Sequence, residues 1–354
     1  MSTIRGAEQL LERNVETEIL CIPGSKISKE ALSRGIKIYT LNASGYFNPL
    51  QIFRLKKYLD KAGIDIIHSH ASQDLWTLVP AMKLTSRRIP LLLTKRVGSF
   101  IVKKDPLHNF LYNNISAAIA ISEVIKKNLI ETTGLSPAKI KLIYNGIDVD
   151  KFNPIKVDGS EVRKEFNIPK DKFLIGFMGR FTWGKGHEEF IEAAEILSKE
   201  YNNLLFFIVG EASRDEEKYE QKIKELVHQK RLADKIIFTG YRKDTPNVLA
   251  AMDIFVFPSH SEAFGNALAE AMAMQKPTVA SNSDGVLDIA VDGITTYLFE
   301  NKNSVDLSEK IKLLLDNPET RKKFGKAGRE RALEKFSRDK QTDKLIRLYE
   351  NLIN

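Results

Sequence analysis

Short apolar runs alternate with longer amphipathic stretches along almost the whole chain. The apolar runs are continuous, which is typical of parallel strands buried on both faces. Between them, as over residues 50–62 and 122–133, apolar side chains recur at helical spacing. The predicted strands are residues 17–22, 64–68, 91–94, 117–121 and 140–144 in the first part of the chain and 173–178, 204–209, 236–239, 254–257 and 278–280 in the second.

This alternation predicts an α/β fold, and its two consecutive series predict two doubly wound, Rossmann-like domains. Asn-Gly and Asn-Pro turn signals within residues 145–154 mark the boundary. We therefore expect domains at residues 1–148 and 149–336, followed by a C-terminal helix at residues 337–354 that packs back on the first domain. A doubly wound domain normally opens with a strand, whereas residues 4–11 indicate a loop entering a helix, so the first strand is missing from the expected order.

Composition excludes several classes of protein. At 354 residues, with 43% hydrophobic and 28% charged residues, the chain is typical of a soluble globular protein of two domains. No apolar run approaches the roughly 18 residues that span a bilayer, and no signal sequence is recognisable at the N-terminus. We therefore expect a cytoplasmic protein. The single cysteine, Cys21, excludes an intrachain disulfide and a thiolate metal cluster.

The net charge of +8 is concentrated in the first domain. Residues 1–148 contain 21 Lys and Arg against 12 Asp and Glu, a balance of +9, whereas the remainder balances at −1. A basic domain favours an anionic partner, either a phosphorylated acceptor or an acidic membrane surface. Solvated lysine faces produce the same count without any partner, so charge alone leaves these interpretations open. No nucleic-acid partner is expected.

Residues 179–186, GRFTWGKG, join a predicted strand to a predicted helix and form a glycine-rich loop, the Gly loop. Such loops present backbone N–H groups and the positive end of a helix to phosphate. Gly179, Arg180 and Lys185 are therefore candidate phosphate-binding residues. The loop nearly matches an ATPase P-loop, but Gly186 stands where the magnesium-binding hydroxyl is required, so an ATPase is disfavoured. For this motif alone, a basic turn with permissive glycines remains an alternative.

Residues 261–272, SEAFGNALAEAM, contain two carboxylates, Glu262 and Glu270, around a Phe-Gly pair. The pattern predicts a loop through Glu262 and a helix that begins near Gly265, whose first N–H groups would point at an anion. Because Glu270 lies more than one turn inside this helix, the two carboxylates are expected to contact different parts of one extended ligand. The alternative is a helix-start anion at Glu262 and a solvent-facing Glu270.

Two further motifs invite a metal interpretation. The triplet DVD at residues 148–150 falls in the predicted linker, where a turn with two solvated acids is favoured. The triplet HSH at residues 68–70 ends a predicted strand at the edge where ligands bind, with no third ligand nearby in sequence. No metal site is therefore expected. His70 is a candidate polar contact to a substrate, and a packed or capping histidine is the alternative.

Together these motifs resemble the retaining, nucleotide-sugar-dependent glycosyltransferase family 4, whose two Rossmann-like domains form the fold called GT-B. The resemblance covers nearly the whole chain in the expected order, and its most specific part is the Glu-x7-Glu segment at residues 262–270. It implies transfer of a sugar, with retention at the anomeric carbon, from a UDP-, GDP- or ADP-sugar to a glycan or lipid-linked acceptor in cell-envelope polysaccharide or glycolipid synthesis. It implies no cofactor and no metal. The segments that carry it are residues 5–9, 65–70, 120–123, 145–148, 179–186, 240–244 and 259–273.

The resemblance also implies a role for each matching residue. Arg180 and Lys185 would neutralise the donor diphosphate, Glu262 would contact the transferred sugar, and Glu270 would bind the ribose hydroxyls. The remaining donor-binding residues are Gly179, Ala263, Phe264, Gly265 and Asn266 near the diphosphate and Gly240, Tyr241 and Arg242 near the nucleobase.

Two departures from the family pattern fall in the first domain. Many relatives have a histidine near the reacting sugar, after the strand at residues 91–94, whereas this chain reads TKR at residues 94–96, as does a subset resembling lipopolysaccharide-type transferases. Arg96 cannot act as a base, so we expect it to contact the transition state or an acceptor phosphate. The second departure is the missing first strand, together with Gly-Ala at residues 6–7, where relatives often have Gly-Gly in a loop near the donor phosphates. Gly6 is therefore a candidate donor contact.

Two other functions fit the same two-domain plan, because a fold does not fix an activity. One is a nucleotide-sugar isomerase or epimerase, and the other is an N-terminally shortened relative that holds a nucleotide sugar without turning it over. The favoured hypothesis is a glycosyltransferase, either free in the cytoplasm or peripheral at the inner face of the membrane.

Overall fold

The computed structural model describes residues 2–42 and 47–354, without the side chain of Ser2. The strands are β1 (Glu18–Cys21), β2 (Lys37–Thr40), β3 (Ile67–Ser69), β4 (Leu91–Lys95), β5 (Ala117–Ala120), β6 (Ile140–Leu142), β7 (Phe173–Met178), β8 (Leu204–Val209), β9 (Ile236–Phe238), β10 (Ile254–Phe257), β11 (Thr278–Ser281) and β12 (Thr296–Phe299). The α-helices are α1 (Ser2–Glu12), α2 (Lys26–Ser33), α3 (Pro49–Lys61), α4 (Leu75–Leu84), α5 (Pro106–Asn113), α6 (Glu123–Thr132), α7 (Ser160–Glu165), α8 (His187–Glu200), α9 (Glu217–Gln229), α10 (Thr245–Ala251), α11 (Asn266–Ala273), α12 (Val286–Ile289), α13 (Ser304–Asp316), α14 (Pro318–Lys335) and α15 (Arg338–Ile353). Over residues 2–42 and 47–354, no helix combines the length and apolar character needed to span a bilayer.

The chain divides into two compact units, one formed by Met1–Gly146 with Asp339–Asn354 and the other by Ile147–Arg338. The change of unit after Gly146 falls inside the predicted turn region. Most of the last helix, α15, belongs to the first unit, where its Tyr349 clusters with Leu92 of β4 and Ile119 of β5.

The second unit is built on one parallel six-stranded sheet in the order β12-β11-β10-β7-β8-β9. Its central strands consist mainly of buried residues, as expected for parallel strands covered on both faces. From β7 the chain proceeds outward to β8 and β9, and it then returns to β10 on the other side of β7. The loops that follow β7 and β10 are therefore neighbours at the switch point, where doubly wound folds bind ligands.

The first unit contains two parallel sheets rather than one, because β1 pairs with β2 while β3-β4-β5-β6 form a separate sheet. Helix α1 packs on both sheets: Ile4 clusters with Ile19 of β1, and Leu10 clusters with Leu92 of β4. In the usual strand order 3-2-1-4-5-6, the first strand lies between the second and the fourth. With the usual first strand missing, β1 and β3 of this chain correspond to that second and fourth strand. The gap between the two sheets therefore falls where the missing strand was expected. The helix predicted within residues 4–11 is confirmed, but the loop expected before it is wrong, since α1 already begins at Ser2.

Candidate functional site

Two loops meet at the switch point of the second unit. The Gly loop follows β7, and residues 258–265, here called the Glu loop, follow β10, which pairs directly with β7. The backbone N–H of His260 donates to the carbonyl of Gly184 at 2.8 Å, which ties the two loops together. The predicted phosphate-binding and sugar-binding motifs are therefore adjacent in space.

Gly186 shows why the loop departs from an ATPase P-loop. It precedes α8 with a φ of 81°, and a Cβ at this position would lie 2.2 Å from the carbonyl oxygen of Pro258. A serine or threonine at this position would be strained by the left-handed backbone angle, and its Cβ would clash with Pro258. The close backbone approach holds the end of the Gly loop against the start of the Glu loop.

Lys185 and Glu262, which the sequence identifies separately, form an ion pair across the two loops. Their side chains are only 24% and 17% exposed. A pair with this little solvent is screened less than a surface pair, so each charge depends on the other. The arrangement presents an ammonium and a carboxylate side by side at the carboxyl ends of β7 and β10.

The start of helix α11 lies next in the chain after this ion pair. Gly265 precedes the helix with a φ of 107° and, being a glycine, contributes no side-chain cap. Phe264 is buried against Phe336, which fixes the backbone at the helix start. The positive end of the helix dipole favours an anion at this position. Glu270 lies on the second turn of the same helix and is half-buried, so it is not a solvent-facing residue.

Several residues that support the Glu loop have no signal in the sequence motifs. The ring of His260 bonds Glu189 of α8 at 2.7 Å, and Asn301 donates to the carbonyl of His260 at 2.8 Å. The N–H of Gly285 donates to the carbonyl of Glu262 at 3.0 Å, and a Cβ on Gly285 would lie within 2.8 Å of that backbone. These contacts position Glu262 through its main chain. Only the adjacency of His260 to Ser-Glu in the sequence hints at such a role.

An open cavity of about 550 Å³ is lined in part by the first two residues of the Gly loop. Tyr241 is exposed and lines it, and Arg180 lines it while contacting Ser213 at 3.3 Å. Arg242 also borders the cavity, but its guanidinium is bonded to both Glu165 and Asp244. These partners raise the pKa of Arg242 and leave it tying the loop to α7.

Two candidate residues of the first unit, His70 and Arg96, lie at the carboxyl ends of β3 and β4. Arg96 donates to Asn145 at 3.0 Å, and its Nε has no hydrogen-bond partner in the part of the chain that the structure describes. Burial, and then the charge of Arg96, lower the pKa of His70 to about 4, so this imidazole is neutral near pH 7. His68 instead lies between Tyr349 and Thr94 at 2.6 Å from each, which is a packed structural role.

Comparison with known proteins decides the family. Two family models together match nearly the whole chain: "Glycosyltransferase Family 4" matches residues 2–151 and "Glycosyl transferases group 1" matches residues 158–331. An uncharacterized glycosyltransferase of Methanocaldococcus jannaschii, MJ1178, is 30% identical over 84% of this chain and 78% of its own length. The chain belongs to the family 4 glycosyltransferases. The glycosyltransferase has the GT-B fold, as its structural neighbours show.

Three further proteins resemble this glycosyltransferase over almost its full length. An N-acetylgalactosaminyltransferase of Campylobacter jejuni, named for an undecaprenol diphosphate-linked sugar, is 28% identical over 97% of this chain and 93% of its own. A Rickettsia africae glycosyltransferase structure has a TM-score of 0.90 at 25% identity, covering 100% of this chain and 95% of its own. Anabaena HepE, solved with UDP and glucose, has a TM-score of 0.81 at 20% identity, covering 99% and 95%.

The structure changes one sequence prediction for the glycosyltransferase and adds contacts to two others. Gly6 lies inside helix α1 rather than in a loop, and a Cβ there would meet nothing within 4 Å. Arg242, which the resemblance places near the nucleobase, borders the cavity and forms ion pairs with two carboxylates. Asp148 bonds Arg338 at 3.0 Å and the N–H of Lys151, which is the turn role expected for this triplet. Residues 2–42 and 47–354 contain no cluster of His, Cys, Asp and Glu suited to a metal ion.

Proposed function

We propose that this glycosyltransferase moves a sugar, with retention at the anomeric carbon, from a nucleotide sugar to a glycan or lipid-linked acceptor in cell-envelope polysaccharide or glycolipid synthesis. The observation that carries the proposal is the Lys185–Glu262 ion pair at the switch point, beside the start of α11. This pair supplies a cation for a diphosphate and a carboxylate for a sugar at one place. The UDP and glucose bound by HepE support a UDP-sugar as the first donor to test.

The donor is assigned part by part along the second unit. The cavity beside Tyr241 and Gly240 takes the nucleobase, and Glu270 takes the ribose hydroxyls. Arg180 and Lys185 take the diphosphate together with the amides at the start of α11, namely those of Ala263, Phe264, Gly265 and Asn266. Glu262 then takes the transferred sugar. This division fits the burial of Glu270 and the open site beside Tyr241.

In the proposed reaction, the bond from the anomeric carbon to the phosphate oxygen breaks while the acceptor oxygen bonds to the same face of that carbon. The acceptor proton passes to the departing phosphate oxygen, so the step needs no protein base. Negative charge grows on the diphosphate during this step. Arg180 and Lys185 stabilise that charge from fixed positions, as does the start of α11. These positive groups act in place of a metal ion, and no cofactor is required.

The acceptor is assigned to the first unit. Arg96, whose Nε lacks a protein partner among the described residues, would bind a phosphate of the acceptor, and neutral His70 would contact the acceptor as a polar group. The basic excess of residues 1–148 supports an anionic acceptor or an acidic membrane. The name of the Campylobacter relative, which includes an undecaprenol diphosphate, supports a lipid-linked one. The enzyme would then act peripherally at the inner face of the membrane.

Incubation with UDP-, GDP- and ADP-sugars tests this function. We expect one donor to raise the melting temperature and to release free nucleotide faster when a lipid-linked acceptor is added. EDTA should leave the rate unchanged. A new sugar nucleotide without release would indicate an isomerase, and binding with neither outcome would indicate a non-catalytic relative. Lys185→Met should lose release, whereas Lys199→Met, on the exposed surface of α8, should keep it.

A further inference from the structure

The chain after β4 carries a segment rich in exposed apolar side chains, residues 97–110, here called the apolar segment. Phe100 is fully exposed in it, and Ile101 and Val102 are 69% and 62% exposed. Leu107 and Phe110, which lie one turn apart on α5, are exposed as well. Contiguous apolar exposure on this scale marks an interaction surface rather than scattered surface residues.

The loop that presents these side chains is fixed at both ends. The N–H of Ser99 donates to the side chain of Asn128 at 2.8 Å, and the amide of Asn128 donates back to the carbonyl of Ser99 at 2.9 Å. At the other end, the N–H of Lys103 donates to the carbonyl of Thr132 at 2.6 Å. Phe100, Ile101 and Val102 therefore project from a loop that hydrogen bonds hold at both ends. They are exposed although this loop is bonded to the rest of the unit.

The charges around the apolar tip are positive. Lys103 and Lys104 follow Val102 directly, and neither forms an ion pair within residues 2–42 and 47–354. The one acid of the segment, Asp105, caps helix α5 and bonds His108. Apolar side chains flanked by unpaired lysines match the head-group region of a bilayer, where the lysines meet lipid phosphates.

We infer that the apolar segment inserts into the head-group region of a bilayer that contains acidic lipids. Phe100, Ile101 and Val102 enter the apolar layer, and Lys103 and Lys104 lie at the level of the phosphates. The segment begins directly after Arg96. The phosphate of a lipid-linked acceptor could therefore reach Arg96 while the lipid chain of that acceptor stays in the membrane. This last step rests on the proposed function.

Flotation with vesicles tests the inference on the full-length protein. The wild type should bind vesicles of phosphatidylglycerol and phosphatidylcholine more tightly than vesicles of phosphatidylcholine alone, and salt should weaken the difference. The triple variant Phe100→Ser, Ile101→Ser, Val102→Ser should bind at least about 100-fold more weakly, since it removes three large apolar side chains. Lys103→Gln with Lys104→Gln should lose about fivefold per lysine on acidic vesicles only.

A matched control removes equally exposed apolar side chains from the second unit. Ile155, Ile294 and Val305 are 90%, 53% and 55% exposed, and changing all three to Ser should leave vesicle binding unchanged. The apolar-segment variant should keep its melting temperature, its donor-induced shift in melting temperature and its transfer to a short water-soluble acceptor.

Four results would overturn the inference: no binding of the wild type to acidic vesicles, equal binding by the apolar-segment variant, equal loss in the control, or a change in oligomeric state with no change in vesicle binding. The last result would show that the surface joins copies of this chain. If the wild type floats and the variant does not, but no donor is turned over, the membrane surface stands and the transfer proposal fails.

Discussion

Changing Gly186 to alanine tests how the cation of the donor site is held in place. Alanine in the left-handed region costs about 1–2 kcal/mol, because its Cβ crowds the carbonyl oxygen that follows. At position 186, with a φ of 81°, the new Cβ would also lie 2.2 Å from the Pro258 carbonyl oxygen. Overpacking of this kind adds about 1–3 kcal/mol, and relief requires the Gly loop to move away from the Glu loop. Lys185 should then lose its contact with Glu262.

Gly293 is the matched control for this substitution. Its φ of 68° is also left-handed, but a Cβ there would meet nothing within 4 Å. Gly293→Ala should therefore lose only the backbone term, whereas Gly186→Ala should lose about 1–3 kcal/mol more, or about 2–4 °C of melting temperature per kcal/mol. Calorimetry measures both variants, and nucleotide release measures transfer. Equal stability losses, or normal transfer by Gly186→Ala, would refute the claim that this close approach positions Lys185.

Three further predictions concern the candidate residues. Arg180→Ala and Lys185→Ala should each lower turnover about 100-fold or more while weakening nucleotide binding much less, and near-native turnover in either would contradict their role at the leaving group. Glu270→Gln should mainly weaken nucleotide binding, and Glu262→Gln should mainly slow transfer. A double-mutant cycle of Lys185 and Glu262 should show non-additive losses. Indistinguishable defects in the two glutamate variants, or strict additivity in the cycle, would count against the assignment. Because the folded-state pKa of His70 is lowered to about 4, its contribution to stability should be complete above the ordinary value near 6.5 and decline as the pH falls toward 4. Urea unfolding from pH 7 to 4.5 measures this slope, and His70→Gln should flatten it; an unchanged slope would argue against a neutral buried His70.

The central strands of the second unit could be predicted closely from sequence. β7, β8 and β10 have the bounds that their apolar runs predict, because a strand buried on both faces reads as one unbroken run. β2 and β12 were not predicted. Both lie at the edge of a sheet and keep half-exposed residues, so no continuous run marks them.

Contacts between distant segments could not be predicted. Lys185 and Glu262 were both identified as candidate residues, but their pairing across 77 positions depends on β10 returning beside β7. The same holds for Arg242, whose partner Glu165 also lies 77 positions away. A motif shows which side chains are present, whereas the strand order determines which of them meet.

The ion pair also bears on the separate roles proposed for the Gly loop and the Glu loop. Lys185 and Glu262 neutralise each other at positions with little solvent, where either charge alone would be costly. The proposed function then requires a donor diphosphate to compete with Glu262 for Lys185, so that the carboxylate can accept from a sugar hydroxyl. Separate roles at the diphosphate and the sugar would thus describe only the donor-bound state. Because close backbone contacts at Gly186 and Gly285 fix the two loops, the proposed exchange of partners would leave the main chain at Lys185 and Glu262 in place.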